Sequence, residues 1–292
     1  MPSTKRTPHL LLSLLVLLGA CSSPTPPAQP VQAEQLSAEL ALPQPLRAEL
    51  FARIAVLGAS GSAGFGLEIE TGTPARLADF LDQALLVPHE LVADGATELF
   101  FLDPEGYGSR TVVEALGSRP SLVVAPDFLF WFFYGRGPTA EARRARLEIG
   151  LTLLSAFECP LVVGDIPDMR EAAGGMIPFA SMPPADSFAG ANARIRAWAA
   201  ERENVTVVPL VAMNEALASG QAYTIGDLVW DPSVLGDLLQ ADHLHPNLAG
   251  TALMTLEILE HLAADHDATL VGVARSNPEE LVDAVDDLVS AR

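Results

Sequence analysis

Five short apolar runs, separated by longer segments of helical character, constrain this chain more than any other feature of its sequence. The runs are residues 54–57, 98–102, 122–125, 161–164 and 205–209. Candidate helices lie near residues 74–86, 109–117, 138–157 and 187–202, with a last long one over 247–265. Strands that are apolar almost throughout and alternate with helices indicate a parallel sheet covered on both faces. The sequence therefore predicts an α/β protein, a three-layer α/β/α sandwich around a central, mostly parallel five-stranded sheet.

The first 20 residues have the organisation of a secretory signal peptide. Lys5 and Arg6 precede an apolar stretch over residues 10–20, which is too short to span a bilayer as a mature helix. Its last residues, Leu-Gly-Ala before Cys21, resemble a bacterial lipobox, in which cleavage exposes the cysteine for lipid attachment. We therefore expect an exported lipoprotein, held at the cell envelope through acyl chains on Cys21. An ordinary signal peptide with an incidental cysteine is the alternative.

A proline-rich segment separates Cys21 from the rest of the chain. The composition of residues 21–34 disfavours a helix and favours an extended linker that lifts a domain off its anchor. We expect a single domain over residues 35–292, which is long enough to bury a full core. If the host has two membranes, a serine after the lipidated cysteine, as Ser22 is here, resembles the signal that sorts a lipoprotein to the outer membrane. The sequence does not indicate the oligomeric state.

The charge of the chain limits its partners. The formal net charge is −20 and becomes −22 once the two cations of residues 1–20 are removed. Nucleic acid is therefore not an expected partner, because phosphate binding needs the opposite sign, and strongly anionic substrates are disfavoured. After Cys21 the sequence contains only Cys159, inside an apolar run, so we expect no disulfide and no cysteine-based metal site.

A glycine-rich turn follows the first predicted strand and has two interpretations. Gly58, Gly61 and Gly64 stand at three-residue spacing, as in some atypical dinucleotide-binding loops. Such a loop opens straight into a helix and returns to a second strand within about 30 residues, whereas Pro74 interrupts the helix here. The other interpretation is a turn that presents Ser60 as a nucleophile.

The far end of the chain supplies the groups that a serine nucleophile requires. Asp242 and His245 stand directly before the last predicted helix. A serine hydroxyl is a weak nucleophile at neutral pH, so a neutral imidazole must take its proton, and His245 fits this role. Asp242, three residues earlier, can curl back to hold the other imidazole nitrogen. Alternatively, Asp242 bonds only the backbone of its own turn, and the Pro-Asn that follows His245 only starts a helix.

These two motifs together resemble the SGNH/GDSL family of serine hydrolases. The chain has Gly-Ala-Ser ending at Ser60 after the first strand, and Asp242-x-x-His245 followed by Pro-Asn before the final helix. The resemblance covers essentially the whole mature domain in order and spacing. It implies a flavodoxin-like fold and a Ser60-His245-Asp242 triad that hydrolyses a carboxylic ester through an acyl-enzyme. It also implies a small-molecule or glycan ester as substrate and no metal or organic cofactor.

An acyl-transfer site also needs hydrogen-bond donors that stabilise the oxyanion, and the resemblance implies three of them. The Ser60 amide is the first, and a glycine amide after the second strand is the second, for which Gly108 is our choice and Gly106 a rival. The family's third donor, an asparagine, is replaced here by Asp127. A carboxylate accepts hydrogen bonds but donates none, so Asp127 is protonated, points elsewhere, or marks an altered site.

Asp127 therefore keeps a second function open. In this alternative the chain is a catalytically altered SGNH-fold envelope protein that binds a glycan or a protein partner. His243 raises a further possibility, a zinc site, because Asp242, His243 and His245 are all residue types that bind zinc. A structural zinc site takes four protein ligands and a catalytic one takes three plus water. We expect no metal. The aromatic run over 128–134 is expected to form a packed lid or core wall; the alternative is a partly exposed surface that suits an apolar acyl group or the flat face of a sugar. Asp165 and Asp168 are expected to orient their loop, to line the pocket or to serve only the turn.

Overall fold

The computed structural model describes residues 44–135, 137, 139–226, 228–230 and 238–292. The expected signal peptide, Cys21, the linker over residues 21–34 and the start of the predicted domain lie outside the described residues. Within the described ranges, none of the helices combines the length and the hydropathy that a membrane span requires.

Five parallel strands form the central sheet. In chain order they are β1 (Ile54–Val56), β2 (Leu91–Asp94), β3 (Leu122–Ala125), β4 (Leu161–Gly164) and β5 (Val205–Val208). Their order across the sheet is β2-β1-β3-β4-β5, and every neighbouring pair is parallel. A short antiparallel hairpin, β6 (Tyr223–Ile225) with β7 (Leu228–Trp230), and a two-residue pairing of 44–45 with 268–269 lie outside it.

Helices cover both faces of this sheet. In chain order they are α1 (Ser60–Ala63), α2 (Glu68–Thr71), α3 (Leu77–Ala84), α4 (Pro104–Ser118), α5 (Phe130–Tyr134), α6 (Ala140–Leu154), α7 (Ser187–Ala200), α8 (Leu210–Ser219), α9 (Leu248–Asp265) and α10 (Pro278–Ser290). Helices α3, α9 and α10 share a core on one face, and α4, α6 and α7 share a core on the other. The predicted three-layer α/β/α sandwich with a parallel five-stranded sheet is confirmed.

Strand geometry explains why two separate cores form. Successive side chains of a strand point to opposite faces of the sheet. On β3, Leu122 and Val124 enter the core with α3, α9 and α10, whereas Val123 and Ala125 enter the core with α4, α6 and α7. All four are fully buried, which is why this strand is apolar at every position.

Local capping residues set where several helices begin. The Asp103 side chain accepts a hydrogen bond from the Gly106 amide, and Pro104 occupies the first position of α4. The side chains of Thr139 and Asn247 cap α6 and α9 in the same way. Each cap satisfies an amide that has no partner inside its helix, so these boundaries follow from residues next to them in sequence.

The strand predicted at residues 98–102 is wrong. Residues Glu98–Leu102 form a 3₁₀ helix, and the strand at this end of the sheet is β2. Only Phe100 of the run is buried, whereas Leu99, Phe101 and Leu102 are 50%, 49% and 63% exposed. Because β2 is an edge strand and only partly buried, its sequence lacks the continuous apolar character that marks the inner strands.

The helix expected to be the last, residues 247–265, is followed by another. Helix α10 starts at Pro278 after the Asn277 cap and buries Leu281, Val285 and Val289, four residues apart, on one face. This face packs on α3 and α9 and completes the first core.

The strand order fixes where a site can form. From β1 the chain passes to β2 on one side, then crosses to β3 on the other side of β1. In sheets of this order, ligands bind beyond the carboxyl ends of the two strands between which the chain reverses direction. Ser60 stands just after β1 and Asp127 just after β3, so both lie at this position.

Candidate active site

A single helical turn presents Ser60. Helix α1 begins at Ser60 and is closed by Gly64, whose φ of 76° is a left-handed conformation that favours glycine. The Ser60 amide occupies the first helical position, where an N–H has no acceptor inside the helix. Since α1 is only one turn long and α2 begins at Glu68, the glycine-rich segment does not open into the long helix that a dinucleotide-binding loop requires.

Asp127 holds this turn in place. Its Oδ1 accepts hydrogen bonds from the Ala59 amide at 2.9 Å and the Ser62 hydroxyl at 2.6 Å, while Oδ2 accepts one from the Ser62 amide at 3.0 Å. The carboxylate approaches so closely that a Cβ at Gly58 would lie 2.1 Å from Oδ1. Both oxygens are therefore occupied as acceptors inside the turn of Ser60. Of the three possibilities at this residue, these hydrogen bonds correspond to the one in which the carboxylate points elsewhere and is not the oxyanion donor.

His245 lies between Ser60 and Asp242. Its Nε2 is 2.8 Å from Ser60 Oγ, and its Nδ1 is 2.6 Å from Asp242 Oδ2. The other carboxylate oxygen, Oδ1, accepts hydrogen bonds from the amides of Leu244 and His245 at 2.9 and 3.0 Å. Asp242 thus bonds the imidazole as well as the backbone of its own turn, so its role is not limited to the turn. The His245 side chain is 3% exposed, which excludes competing water from most of the ring.

The surroundings of Asp242 favour its charged form. Burial by itself raises the pKa of this carboxyl. The hydrogen bonds from the His245 amide and imidazole and from the Leu244 amide lower the pKa by more than burial raises it, so that it lies below its ordinary value. An ionised Asp242 places the imidazole proton on Nδ1. Nε2 is then the acceptor that faces the Ser60 hydroxyl.

Gln240 ties the histidine loop to the serine segment. Its side-chain Nε2 donates to the carbonyl oxygens of Phe65 at 2.6 Å and Pro246 at 2.9 Å, and its backbone amide donates to His245 O at 2.8 Å. The Phe65 ring in turn lies against the His245 ring, with 4.5 Å between centroids. Gly66 has a φ of 79°, and a Cβ there would be 2.2 Å from Gln240 Oε1. Sequence reasoning missed Gln240, because 175 positions separate it from Phe65 and no local pattern signals such a pair.

The structure does not place Gly108 at the site. Gly108 lies within α4, where a Cβ would come within 3.1 Å of Phe128 and 3.2 Å of Phe132, so it serves close packing against the aromatic residues. The Gly106 amide is bound to the Asp103 cap. Neither glycine lines the two cavities next to Ser60, whereas Glu98 does. The expectation for Gly108 is therefore wrong, and the cause is the misplaced second strand. That strand, β2, ends at Asp94, and the segment that follows it and reaches α1 is the 3₁₀ helix, not the start of α4.

His243 points away from the other two side chains. It has a left-handed φ of 56°, and its Nδ1 is 4.0 Å from a carboxylate oxygen of Glu171. Both ring nitrogens of His245 are already bound to Ser60 and Asp242. Across the part of the chain that the structure describes, no group of three or more His, Cys, Asp or Glu side chains is arranged to hold a metal ion.

The loop after β4 contributes two carboxylates with different roles. Asp165 is buried and lines a cavity beside Ser60, while its Oδ1 accepts from the Val211 amide at 2.8 Å and its Oδ2 from Arg196 at 3.3 Å. Burial raises the pKa of Asp165, and the Val211 and Arg196 contacts oppose this. Asp165 thus orients the start of α8 and lines the pocket, whereas Asp168 pairs with exposed Arg170.

The aromatic run over 128–134 is a packed wall, as predicted. Phe128, Phe132, Phe133 and Tyr134 are fully buried in the core with α4 and α6. Trp131 is 6% exposed and reaches the site, where it lines both cavities next to Ser60. The wall therefore positions Trp131 and Phe130 at the smaller cavity instead of offering an exposed platform.

Two cavities meet at Ser60 and His245. The smaller has a volume of about 120 Å³ and extends between the loop after β4, α8 and α9. The larger has a volume of about 530 Å³ and extends along the 3₁₀ helix that begins at Glu98 towards the start of α4. Ser60, His245, Leu244 and Trp131 line both cavities, so a molecule that reaches Ser60 would have one space on each side.

Comparisons with known proteins find similar folds at low identity. No protein-family model and no curated protein matches the chain. A gut microbial diltiazem-metabolizing enzyme superposes with a TM-score of 0.47 at 14% identity, covering 76% of this chain and 47% of the other. The chain thus spans about half the length of that enzyme. A lipase/acylhydrolase from Enterococcus faecalis superposes with a TM-score of 0.45 at 18% identity, covering 72% of this chain and 95% of the other. Similarity at this level assigns neither a family nor an activity.

Proposed function

We propose that this chain is a serine hydrolase that cleaves carboxylic esters through an acyl-enzyme on Ser60, as the resemblance to SGNH/GDSL hydrolases implies. One observation carries the proposal: Ser60 Oγ, the His245 imidazole and the Asp242 carboxylate are joined by contacts of 2.8 and 2.6 Å at the meeting point of two cavities. Serine hydrolysis needs this relay because only a base beside the hydroxyl can remove its proton during attack.

The reaction follows from these positions. His245 Nε2 takes the Ser60 proton while Oγ bonds to the ester carbonyl carbon, and ionised Asp242 stabilises the imidazolium that forms. The imidazolium then gives this proton to the alcohol oxygen as the ester C–O bond breaks. Water repeats the sequence on the acyl-enzyme: Nε2 accepts a water proton while the water oxygen bonds to the acyl carbon. The proton then passes to Ser60 Oγ as the bond between Oγ and the acyl carbon breaks and the carboxylic acid leaves.

Backbone amides are the proposed oxyanion donors. The Ser60 amide stands at the first position of α1, and the Glu98 amide stands at the start of the 3₁₀ helix that packs beside it. Preorganised amides of this kind can stabilise the developing negative charge without moving. Asp127 acts one step away from the oxyanion in this scheme, by fixing the turn that carries the Ser60 amide.

We further propose that the protein is exported and lipid-anchored. Residues 1–20 would act as a signal peptide, Cys21 would carry the lipid, and residues 21–34 would hold the hydrolase domain away from the membrane. The test is incorporation of labelled fatty acid into the full chain during expression. Labelled wild-type protein and unlabelled Cys21→Ser protein would support the anchor, and label in neither would exclude it.

The test of the hydrolase proposal is labelling of the purified full chain with a fluorophosphonate, which reacts with activated serines. Wild-type protein should label, while Ser60→Ala and His245→Ala should not; Ser219→Ala, a change at an exposed serine on α8, should label like wild type. Circular dichroism should show that all four proteins are folded. No labelling of folded wild type would favour the altered protein that binds a glycan or a protein partner.

A further inference from the structure

We infer that the smaller cavity is the acyl site and that it selects unbranched or lightly branched apolar acyl groups of about four to eight carbons. This inference rests on the proposed function, because it assigns one side of the ester to one side of Ser60. It names a substrate class that the arrangement of Ser60, His245 and Asp242 alone does not specify.

The lining of the smaller cavity is almost wholly apolar. Beyond Ser60 and His245, its walls include Trp131, Ile166, Met169, Met213, Leu217 and Met254. The side chains of Asp127, Asp165 and Asn214 also reach the lining. The oxygens of Asp127 are bound within the turn of Ser60, and those of Asp165 are bound to the Val211 amide and to Arg196. An alkyl chain would therefore bind in a space where water has few hydrogen-bond partners. A hydroxylated group would lose its hydrogen bonds to water there and form few new ones.

The two steps of the reaction decide which half of the ester occupies this cavity. The acyl group stays bonded to Ser60 Oγ after the alcohol has left, and water must then reach the acyl carbon beside His245 Nε2. The larger cavity is lined by apolar side chains and also by polar ones, including Glu98, Asp103 and Glu105, and can admit water once the alcohol has gone. The smaller, apolar cavity offers water few partners, so it suits the group that remains in place during both steps.

The larger cavity also indicates the character of the alcohol. Among the described residues that line it are three carboxylates, Glu98, Asp103 and Glu105, and one guanidinium, Arg146. Arg146 donates a hydrogen bond to the Trp131 carbonyl oxygen at 2.8 Å, and the negative charge of Glu105 attracts its guanidinium. The surplus of negative charge disfavours a phosphorylated or carboxylated alcohol and accommodates a polar, neutral or cationic one.

The volume of the smaller cavity bounds the length of the acyl group. A buried apolar cavity of about 150 Å³ in another protein holds one benzene molecule, a ligand with about six carbons. The cavity beside Ser60 has about 120 Å³, and part of it lies next to the reacting carbon. An acetyl group would leave most of this space unfilled, whereas a chain well beyond eight carbons would have to displace Met213, Leu217 or Met254.

The experiment measures kcat/KM of the full chain on p-nitrophenyl esters from acetyl to dodecanoyl. Each buried methylene contributes about fourfold in kcat/KM, equivalent to ~0.8 kcal/mol, so hexanoyl should exceed acetyl by about 10²-fold. Values should fall again beyond about eight carbons, as the cavity becomes too small.

Substitutions in the cavity should move this optimum. Met213→Trp should shift it to acetyl or propanoyl, and Leu217→Ala should shift it to chains about two carbons longer. Val113→Trp, a comparable bulky change at an exposed position of α4, should leave the profile unchanged. Leu217→Ala also keeps the test decisive if the tryptophan variant does not fold.

Failure of this inference and of the proposed function would look different. If fluorophosphonate labels Ser60 and acetyl ester is cleaved in a Ser60-dependent way, but the profile is flat or highest at acetyl, the acyl-site assignment is wrong and the hydrolase stands. The same holds if neither cavity variant moves the optimum. If Ser60 is not labelled and no ester is cleaved, the proposed function itself fails and the acyl site with it.

Discussion

Replacing Asp127 by asparagine separates two roles for this residue. Asparagine is the side chain that the SGNH/GDSL resemblance implies at position 127, so a role at the oxyanion predicts that Asp127→Asn raises turnover. The structure predicts the opposite, because both carboxylate oxygens accept hydrogen bonds from the turn that carries Ser60.

The magnitude follows from the three hydrogen bonds. An asparagine oxygen can keep the two bonds to the Ala59 amide and the Ser62 hydroxyl, but each weakens by about 1 kcal/mol because the acceptor is no longer charged. The third donor, the Ser62 amide, would face the asparagine NH₂ group and lose its acceptor, which costs about 1–3 kcal/mol. We expect a loss of about 3–5 kcal/mol in the free energy of unfolding. For a domain of about 250 residues this lowers Tm by about 6–20 °C.

Turnover should fall as well. A displacement of about 1 Å at a reacting group can lower the rate by about 10²-fold. Asp127 sets the position of Ser60 by bonding the amide of Ala59, just before the helical turn, and that of Ser62, within it. We therefore expect kcat of Asp127→Asn to decrease by about 10- to 100-fold. The assay combines thermal unfolding followed by circular dichroism with kcat on a p-nitrophenyl ester, measured well below the Tm of both proteins.

Asp286→Asn, the same change at an exposed position of α10, is the matched control and should leave Tm and kcat unchanged. A variant Asp127→Asn with increased kcat and an unchanged Tm would refute the reasoning. That result would mean that the side chain at position 127 faces the oxyanion during the reaction.

Two further predictions concern Gln240 and His261. Gln240→Leu should lower kcat by about 10- to 100-fold with KM nearly unchanged, because the carbonyl groups of Phe65 and Pro246 lose their donor and His245 is no longer held in position beside Ser60. An equal change in kcat and KM would argue against a positioning role. The hydrogen bond to buried Glu257 raises the pKa of His261 despite its burial, so this pair stabilises the fold below the ordinary histidine pKa and loses that contribution as pH rises through the raised value. The Tm difference between wild type and His261→Gln should accordingly be larger near pH 5 than near pH 9, and a pH-independent difference would contradict it.

Local patterns made much of the fold predictable. The inner strands β3 and β4 have the predicted bounds, and α7 and α9 begin within one residue of the expected positions. Inner strands of a parallel sheet are apolar on both faces, and helix starts depend on neighbouring caps, so both leave signals in a short stretch of sequence. Ser60, His245 and Asp242 were also identifiable, since each stands in a short motif beside a strand or a helix start.

The sequence by itself thus determined the layered fold and the three side chains that the structure brings together at Ser60. Only the tertiary structure decided that β2, and not the run at 98–102, forms the edge of the sheet, and that Asp127 serves the turn instead of the oxyanion. The contact of Gln240 with Phe65 and the two cavities likewise exist only after folding. All of these depend on contacts between residues tens to hundreds of positions apart, and a local pattern of residue types records periodicity and capping but not which distant groups meet.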